Sequence, residues 1–384
     1  MRNRRIVSSV VGYIGFISAT LLALGLHVAH ASPSSHAPHG TVTIDGITVP
    51  DIGPLPTSIP TPSTNLNYTA KIDLGKQLYF DGRLSKSGAI SCAFCHNPGT
   101  GFADPRQTSI GIDGGVGGRQ SPTVYNTAFN HLQFWDGRAR SLEEQAIGPI
   151  HNPIEMGETH ENVIRKLGKI KGYQQQFRAV FGSDVNLQDL ANAIAAYERT
   201  VISTNSPFDK YALGDQKAMD ETAVRGLTLF KGKARCILCH NGSNFTDNQF
   251  HNLGVPQVGP LKEDLGRHNV TRADKDRGAF KTPTLRSIIE TAPYMHDGAF
   301  KTLEEVVDFL NEGGMANPNL SALVKPLNLT PEERKICSLL KIEKLSATDL
   351  IDKTSFSSSQ LNILISELEM KGLVKEEGGR YGVR

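Results

Sequence analysis

Two short loops of the same pattern constrain this chain more than any other feature. Each reads Cys-x-x-Cys-His, with Cys92, Cys95 and His96 in the first and Cys236, Cys239 and His240 in the second. Two thiols at this spacing can form thioether bonds to the two vinyl groups on one haem edge, and the following histidine can ligate the iron. A thioredoxin-like redox pair or a four-cysteine zinc site would leave both histidines unexplained. The pattern therefore predicts two covalently bound c-type haems.

The N-terminus has the pattern of an export signal. Three of the first five residues are arginine, residues 10–26 form an apolar run, and residues 29–31 read Ala-His-Ala, a small-x-small cleavage site. The apolar run is shorter than the roughly 20 residues that a membrane-spanning helix needs. We therefore predict a cleaved signal peptide at 1–31 and a periplasmic protein, which agrees with haem attachment outside the cytoplasmic membrane.

Length and patterning predict a mainly α, loop-rich fold with two tandem cytochrome c-like haem domains. The 384-residue chain has a formal net charge of +2, which demands no polyanionic partner. Helical apolar spacing precedes each motif, at 70–80 and again at 221–231, and this weak repeat predicts one haem domain around each motif. The expected divisions are a partly disordered lead-in at 32–67, haem domains at 68–210 and 211–334, and a tail at 335–384.

Several further motifs stand in a fixed order around the two loops. They are Arg119-Gln120-Ser121-Pro122-Thr123, Gln133-Phe134-Trp135-Asp136-Gly137-Arg138, Asn152-Pro153-Ile154-Glu155-Met156-Gly157, Lys281-Thr282-Pro283-Thr284-Leu285-Arg286 and Met295-His296-Asp297-Gly298. From about residue 72 to residue 330, the chain resembles the bacterial dihaem cytochrome c peroxidases, including their relative that matures methylamine dehydrogenase.

The resemblance implies a role for each matching residue. His96 is expected to ligate the peroxidatic haem and His240 the electron-relay haem. Trp135, the single tryptophan of the chain, matches the residue between the haems, although a large indole could also simply fill a domain interface. Gln145 and Glu155 match the polar pair over the open face of the peroxidatic haem, where a carboxylate can move a proton between the two oxygens of a peroxide.

Two positions depart from the family pattern. Ile112 occupies the position where many members have a second histidine that closes the peroxidatic haem, so an open, five-coordinate haem is expected. Leu310 occupies the position of the methionine or tyrosine that ligates the second haem. Met315 is a candidate substitute, while Leu310 also fits the core of a helix predicted over 302–310.

The resemblance also implies ligands and partners. The family binds one calcium ion between its domains, and Gln120, Thr291 and Pro293 stand at the ligand positions, where an amide and two carbonyl oxygens suit a hard cation. The expected partners are hydrogen peroxide, a small cytochrome c or cupredoxin as electron donor, and a second copy of the chain as a candidate homodimer.

The tail resembles the winged-helix domain of the DNA-processing protein A of natural transformation. A capping box at Thr330 and Glu333 predicts a helix from Pro331, with Ile336 and Leu340 as candidates for the closing helix of the second haem domain. Two more short amphipathic helices and a Gly-Gly hairpin follow. Residues 335–384 hold eight Lys or Arg and seven Asp or Glu residues, so DNA binding is not expected, and a fused or mis-joined gene end or a protein-contact module is preferred.

Three functions are compatible with these observations. The first is a dihaem peroxidase, the second a maturation-type enzyme that oxidises residues of a partner protein, and the third a dihaem electron carrier without catalysis. Gln145, Glu155 and the open position at Ile112 favour catalysis, and peroxidase is the preferred interpretation.

Overall fold

Helices carry most of the regular structure in the computed structural model, which describes residues 40–325, 330–370 and 373–383. The prediction of a mainly α fold is therefore confirmed. The expected signal peptide at 1–31 and the first part of the lead-in lie outside the described residues. None of the described helices is both long enough and apolar enough to cross a membrane.

The elements follow one another along the chain with long loops between them. The helices are α1 (Thr69–Tyr79), α2 (Cys92–Cys95), α3 (Leu142–His151), α4 (His160–Gly168), α5 (Lys171–Phe181), α6 (Leu187–Glu198), α7 (Pro207–Ala212), α8 (Glu221–Lys231), α9 (His268–Thr271), α10 (Leu303–Asn311), α11 (Pro331–Ile342), α12 (Ala347–Thr354) and α13 (Ser358–Met370). The strands are β1 (Thr41–Ile44), β2 (Ile47–Pro50), β3 (Phe250–His251), β4 (Phe280–Lys281), β5 (Val374–Glu377) and β6 (Arg380–Val383), and they pair consecutively into antiparallel two-stranded sheets.

The core of residues 68–210 is built on the contact between α1 and α6. Leu78 and Ile194 are fully buried there and belong to one apolar cluster. The two backbones meet at Gly75, where a Cβ atom would lie only 1.8 Å from the carbonyl oxygen of Ala193. The close approach of the two helices therefore requires a glycine at this position. The packed helices support the first Cys-x-x-Cys-His loop, which contacts the end of α1 through Tyr79.

Residues 40–67, which we call the N-terminal strap, are the described part of the lead-in that the sequence predicted to be partly disordered. They form the β1–β2 hairpin and then contact both halves of the molecule, by which we mean residues 68–210 and residues 211–325. Asn65, 2% exposed, donates to Glu143 and to the carbonyl of Asn192. Asp51 pairs with Lys231 at 2.7 Å in the other half. The polar composition of this segment does not predict these contacts, because each joins a polar residue to a partner that is distant in the sequence.

Residues 211–325 consist largely of loops held by buried polar contacts. Arg286 and Asp209 form an ion pair in which both side chains are 4% exposed, and Arg286 also donates to the carbonyl oxygens of Gly53 and Ser243. The ion pair thus connects the end of the first half, the strap and the loop after the second motif. Of the two longer helices here, α8 has the predicted bounds and α10 differs from the prediction by one residue at each end.

The tail has a hydrophobic core of its own, as expected for a winged helix. Leu350, Leu361 and Leu368 are buried in it, and the hairpin β5–β6 turns through Gly378 and Gly379, both with positive φ. Ile336 and Leu340 of α11 are buried in this same core. The expectation that α11 closes the second haem domain is therefore wrong, because its apolar face packs with α12 and α13.

Candidate functional site

The first Cys-x-x-Cys-His loop presents a histidine that is oriented for metal ligation. The short helix α2 ends at Cys95, and Nδ1 of His96 lies 2.9 Å from the carbonyl oxygen of Pro122, which fixes Nδ1 as the donor and leaves Nε2 as the ligating atom. Burial lowers the pKa of His96, so the imidazole is neutral, as ligation requires. Tyr79 holds the loop from behind by donating to the carbonyl of His96 at 2.9 Å.

A cavity of about 620 Å³ opens beside this histidine and is lined by Cys92, Cys95 and His96. Its volume lies within the range of cofactor pockets. Burial raises the pKa of the Cys92 thiol to about 12 and also raises that of Cys95. Two thiols and one imidazole on the wall of a single cavity of this size fit a covalently attached haem.

The second loop repeats this arrangement. A 3-10 turn over Cys236–Leu238 carries the first thiol, and Nδ1 of His240 lies 3.0 Å from the carbonyl oxygen of Phe245. Burial lowers the pKa of His240 as well. Nε2 is again the atom left for iron, so the geometry supports the second haem site that the sequence predicted.

Cys239 also belongs to the one cluster of metal-ligating side chains found among the described residues, with Asp247 and His251. Burial alone would lower the pKa of His251, but hydrogen bonds to Asp247 and Cys239 raise it to about 10. Nε2 of His251 lies 2.7 Å from a carboxylate oxygen of Asp247, and Cys239 is the second thiol of a Cys-x-x-Cys-His loop. The cluster is therefore explained as an ion pair beside a haem-attachment cysteine.

Gln145 and Glu155 line the same cavity as His96. Gln145 lies within α3, and Glu155 follows that helix in a loop where its Oε1 accepts a hydrogen bond of 2.7 Å from Asn152. Burial raises the pKa of Glu155, although Arg138 and the bond from Asn152 both favour the carboxylate. The structure thus brings together three residues that the sequence predicted to act at one site.

Ile112 lies outside the cavity lining and packs beneath the loop of Glu155. The side chain is 6% exposed and its Cδ1 would lie 2.2 Å from a Cβ atom at Gly157. Its backbone amide donates to the carbonyl oxygen of Glu155 at 2.9 Å. The position therefore supports the loop of Glu155 from the core side instead of presenting a ligand.

Trp135 connects the two halves of the molecule at the edge of the cavity. Its indole Nε1 donates to the carbonyl of Gln120 at 2.8 Å, and its own carbonyl accepts from the amide of Lys281 at 2.8 Å. Arg119 bridges Asp136 and Asp264 beside it, at 2.7 and 2.6 Å. One hydrogen bond thus holds the indole to the loop of Gln120, and one backbone bond holds Trp135 to β4.

The candidates for the second haem's sixth ligand and for calcium stay predictions. Leu310 is half-buried in α10, and the Met315 side chain is 56% exposed with its amide bonded to the carbonyl of Gly254. Gln120 is 3% exposed, its side-chain amide nitrogen donates to the carbonyl of Asp104, and its backbone amide donates to the carbonyl of His296, in the loop that also contains Thr291 and Pro293.

Two buried ionisable residues in the cavity lining had no role assigned from the sequence. Burial raises the pKa of Glu198 to about 8, and its Oε2 has no hydrogen-bond partner. Burial lowers the pKa of Lys281 to about 8. Glu198 could have been found, because it lies four residues after Ile194 and eight after Leu190 and so shares their buried face of α6.

The chain matches two protein-family models and is similar to several curated proteins. Residues 69–217 match the model of the di-haem cytochrome c peroxidases, and residues 322–380 match the DprA winged helix domain. The chain is 42% identical to the methylamine utilization protein MauG of Methylorubrum extorquens, over 73% of this chain and 79% of that protein. It is 45% identical to the cytochrome c551 peroxidase of Nitrosomonas europaea, over 62% of this chain and 71% of that protein.

Solved structures of similar architecture cover most of the described residues. A MauG-like protein associated with microbial copper homeostasis aligns with a TM-score of 0.65 and 31% identity, covering 72% of this chain and 90% of that one. The diheme peroxidase BthA of Burkholderia thailandensis aligns with a TM-score of 0.63 over 90% of this chain and 97% of that one, at 22% identity. At 22% identity, the similarity to BthA shows a shared fold only.

Proposed function

The chain belongs to the di-haem cytochrome c peroxidase family, an oxidoreductase family with two c-type haems, and we propose that it reduces hydrogen peroxide to water in the periplasm. Electrons come from a small cytochrome c or a cupredoxin and pass from the haem at His240 to the haem at His96. The balanced reaction takes one peroxide, two electrons and two protons to two waters. Residues 68–210 and 211–334 are the proposed haem domains.

Haem bound at Cys92, Cys95 and His96 supplies the Lewis-acid and redox chemistry that cleaves the O–O bond. The observation that carries the proposal is that Glu155 and Gln145 line the same cavity as His96. Asn152 holds Oε1 of Glu155, so we assign proton transfer to Oε2. This atom takes the proton from one peroxide oxygen and returns it to the leaving oxygen.

The burial of Glu155 suits this task. Burial raises the pKa of the Glu155 carboxyl above its usual value, which makes the proton easier to hold between its uptake and its return. Gln145 has an amide that donates and accepts, so it orients the peroxide without taking its proton. Arg138, near Glu155, limits the rise in its pKa and keeps the carboxylate accessible as a base.

Trp135 is the proposed path for electrons between the haems. Its hydrogen bonds to Gln120 and from Lys281 join the loop of the first haem to the strand β4 of the second half. A rigid aromatic side chain in this position shortens the distance over which an electron must tunnel. The Arg119 bridge to Asp136 and Asp264 holds the two halves together beside it.

The first experiment is to record optical and EPR spectra of the fully oxidised, haem-loaded protein and then add peroxide without prior reduction. Because Ile112 cannot ligate iron, we expect a high-spin signal and an immediate reaction. Two low-spin haems that do not react with peroxide would show that another residue closes the site.

The Glu155→Gln variant tests the assigned proton transfer. We expect the rate of reaction with peroxide to fall by about 10² to 10⁴-fold, the usual contribution of a positioned acid–base group. The high-spin signal should remain, since Glu155 is not a ligand. Glu161→Gln, an exposed carboxyl on α4, is the matched control and should react at the wild-type rate. An undiminished rate in Glu155→Gln would refute the role.

A maturation-type activity is the second candidate, because relatives named methylamine utilization protein MauG match as closely as the peroxidases. In that case oxidising equivalents would be passed to residues of a partner protein. Measuring how many electrons a reduced cytochrome c donates per peroxide separates the two. Two electrons consumed per peroxide in multiple turnovers supports the peroxidase, whereas a single slow turnover favours the second candidate.

A further inference from the structure

Lys281 is a buried cation whose partner is not among the described protein groups. The residue is 8% exposed, lies in the two-residue strand β4 and lines the cavity beside Trp135. Its backbone N–H donates a hydrogen bond to the carbonyl oxygen of Trp135. Within the part of the chain that the structure describes, its ammonium group has no carboxylate within ion-pairing distance.

The other cations of the cavity wall are already paired. Arg119 binds Asp136 and Asp264, and Arg138 binds Asp136. Asp247 is the carboxylate whose charge acts on Lys281, but it is engaged by His251 at 2.7 Å and outside ion-pairing distance of the ammonium group. Lys281 is therefore the cation left for an anion inside the cavity.

A buried ammonium group without a counter-ion is strongly unfavourable, and the missing anion has an evident source. Haem carries two propionate carboxylates on the edge opposite its vinyl groups. The thiols of Cys92 and Cys95 fix the vinyl edge at one part of the cavity lining, and Lys281 lines the same cavity next to the backbone of Trp135. Burial lowers the pKa of Lys281, and an adjacent carboxylate would restore it.

We propose that Lys281 binds a propionate of the haem attached at Cys92 and Cys95, and so joins that cofactor to the second half of the protein beside Trp135. The residue is a positioning group: the charge of the lysine stabilises the reduced haem, and its backbone bond to Trp135 ties the propionate to the electron path. The inference rests on the chain binding haem at His96 and not on which substrate is reduced.

The test compares Lys281→Met with Lys281→Arg in the haem-loaded protein. Resonance Raman spectroscopy reports the propionate bending modes, and spectroelectrochemistry reports the midpoint potential of each haem. In Lys281→Met we expect the propionate band of the His96 haem to shift and its potential to fall, because a buried positive charge has been removed. Lys281→Arg should retain both, since the guanidinium group binds carboxylates.

Two further variants keep the outcome decisive. Lys275→Met removes an exposed lysine and should change neither readout. If Lys281→Met does not load haem, Lys281→Gln replaces it as the neutral variant. The same fall in the midpoint potential of the His96 haem is expected. An unchanged propionate band and potential in the neutral variants, or a larger change at the His240 haem, would overturn the proposal. Both readouts are independent of peroxide turnover, so a failed peroxidase assay would not affect them.

Discussion

The contact between α1 and α6 gives a sharp prediction, because one glycine decides it. Gly75→Ala adds a single methyl group where the two helices touch. The new Cβ would lie 1.8 Å from the carbonyl oxygen of Ala193, 2.6 Å from its carbonyl carbon and 3.0 Å from Cβ of Tyr197. An ordinary van der Waals contact is 3.4–4 Å, so the backbones must separate by roughly 1.5 Å. The obstacle is main chain and cannot be relieved by a rotamer change.

The expected loss of stability follows from this displacement. Overpacking a core by one methyl group usually costs about 1–3 kcal/mol, and a clash with backbone belongs at or above the upper end, so we expect about 3 kcal/mol or more. The separation also loosens the contacts of Leu78 and Ile194 in the same cluster. Tyr79, at the end of α1, holds the carbonyl of His96, so the haem site should be affected as well.

Denaturant unfolding of the haem-loaded protein, followed by far-ultraviolet circular dichroism and by the Soret band, measures this effect. Gly226→Ala is the matched control, because Gly226 lies in α8 with nothing within 4 Å of the added Cβ. Alanine in that exposed helix should stabilise slightly, by about 0.5–1 kcal/mol. If Gly75→Ala were as stable as Gly226→Ala, the α1–α6 packing described here would be wrong.

Two further predictions concern buried charges. Because burial raises the pKa of Glu198 from 4.5 to about 8, the folded state binds a proton that the unfolded state has lost, so stability should decline as the pH rises from about 5 to 8. Glu198→Gln should remove that decline, which can be tested by comparing the free energy of unfolding at pH 5 and at pH 8.5. If the variant kept the wild-type dependence on pH, the prediction would be wrong. Arg286→Met strands the buried carboxylate of Asp209 and should cost about 3–5 kcal/mol in the same unfolding assay, whereas removing the exposed Arg178 should cost less than about 1 kcal/mol.

The sequence predicted the features that depend on local spacing. The bounds of α8 and the capping box at Thr330 are confirmed because apolar periodicity and N-cap chemistry act within one or two helical turns. The family resemblance placed His96, Gln145 and Glu155 at one cavity, and the structure brings them together.

What the sequence could not predict depends on distant partners. The apolar face of α11 was assigned to the wrong core, because a periodic pattern shows that a helix is amphipathic and not which neighbour it covers. Lys281 stands in one of the motifs that carry the family resemblance, but a strand of two residues has no measurable period that would show its burial. Glu198 was overlooked even though its spacing from Ile194 placed it on the buried face of α6.

The N-terminal strap has a consequence for the order of assembly. Gly53 accepts a hydrogen bond from Arg286, 233 residues further along the chain, and Asp51 pairs with Lys231, 180 residues away. Contacts of such long range form late, because a large loop must close before any of them is gained. In a chain that is delivered from its N-terminus, the strap therefore emerges among the first residues and docks among the last. Both Cys-x-x-Cys-His loops would pass through an interval in which they are still open to the machinery that attaches haem, and docking of the strap would close that interval.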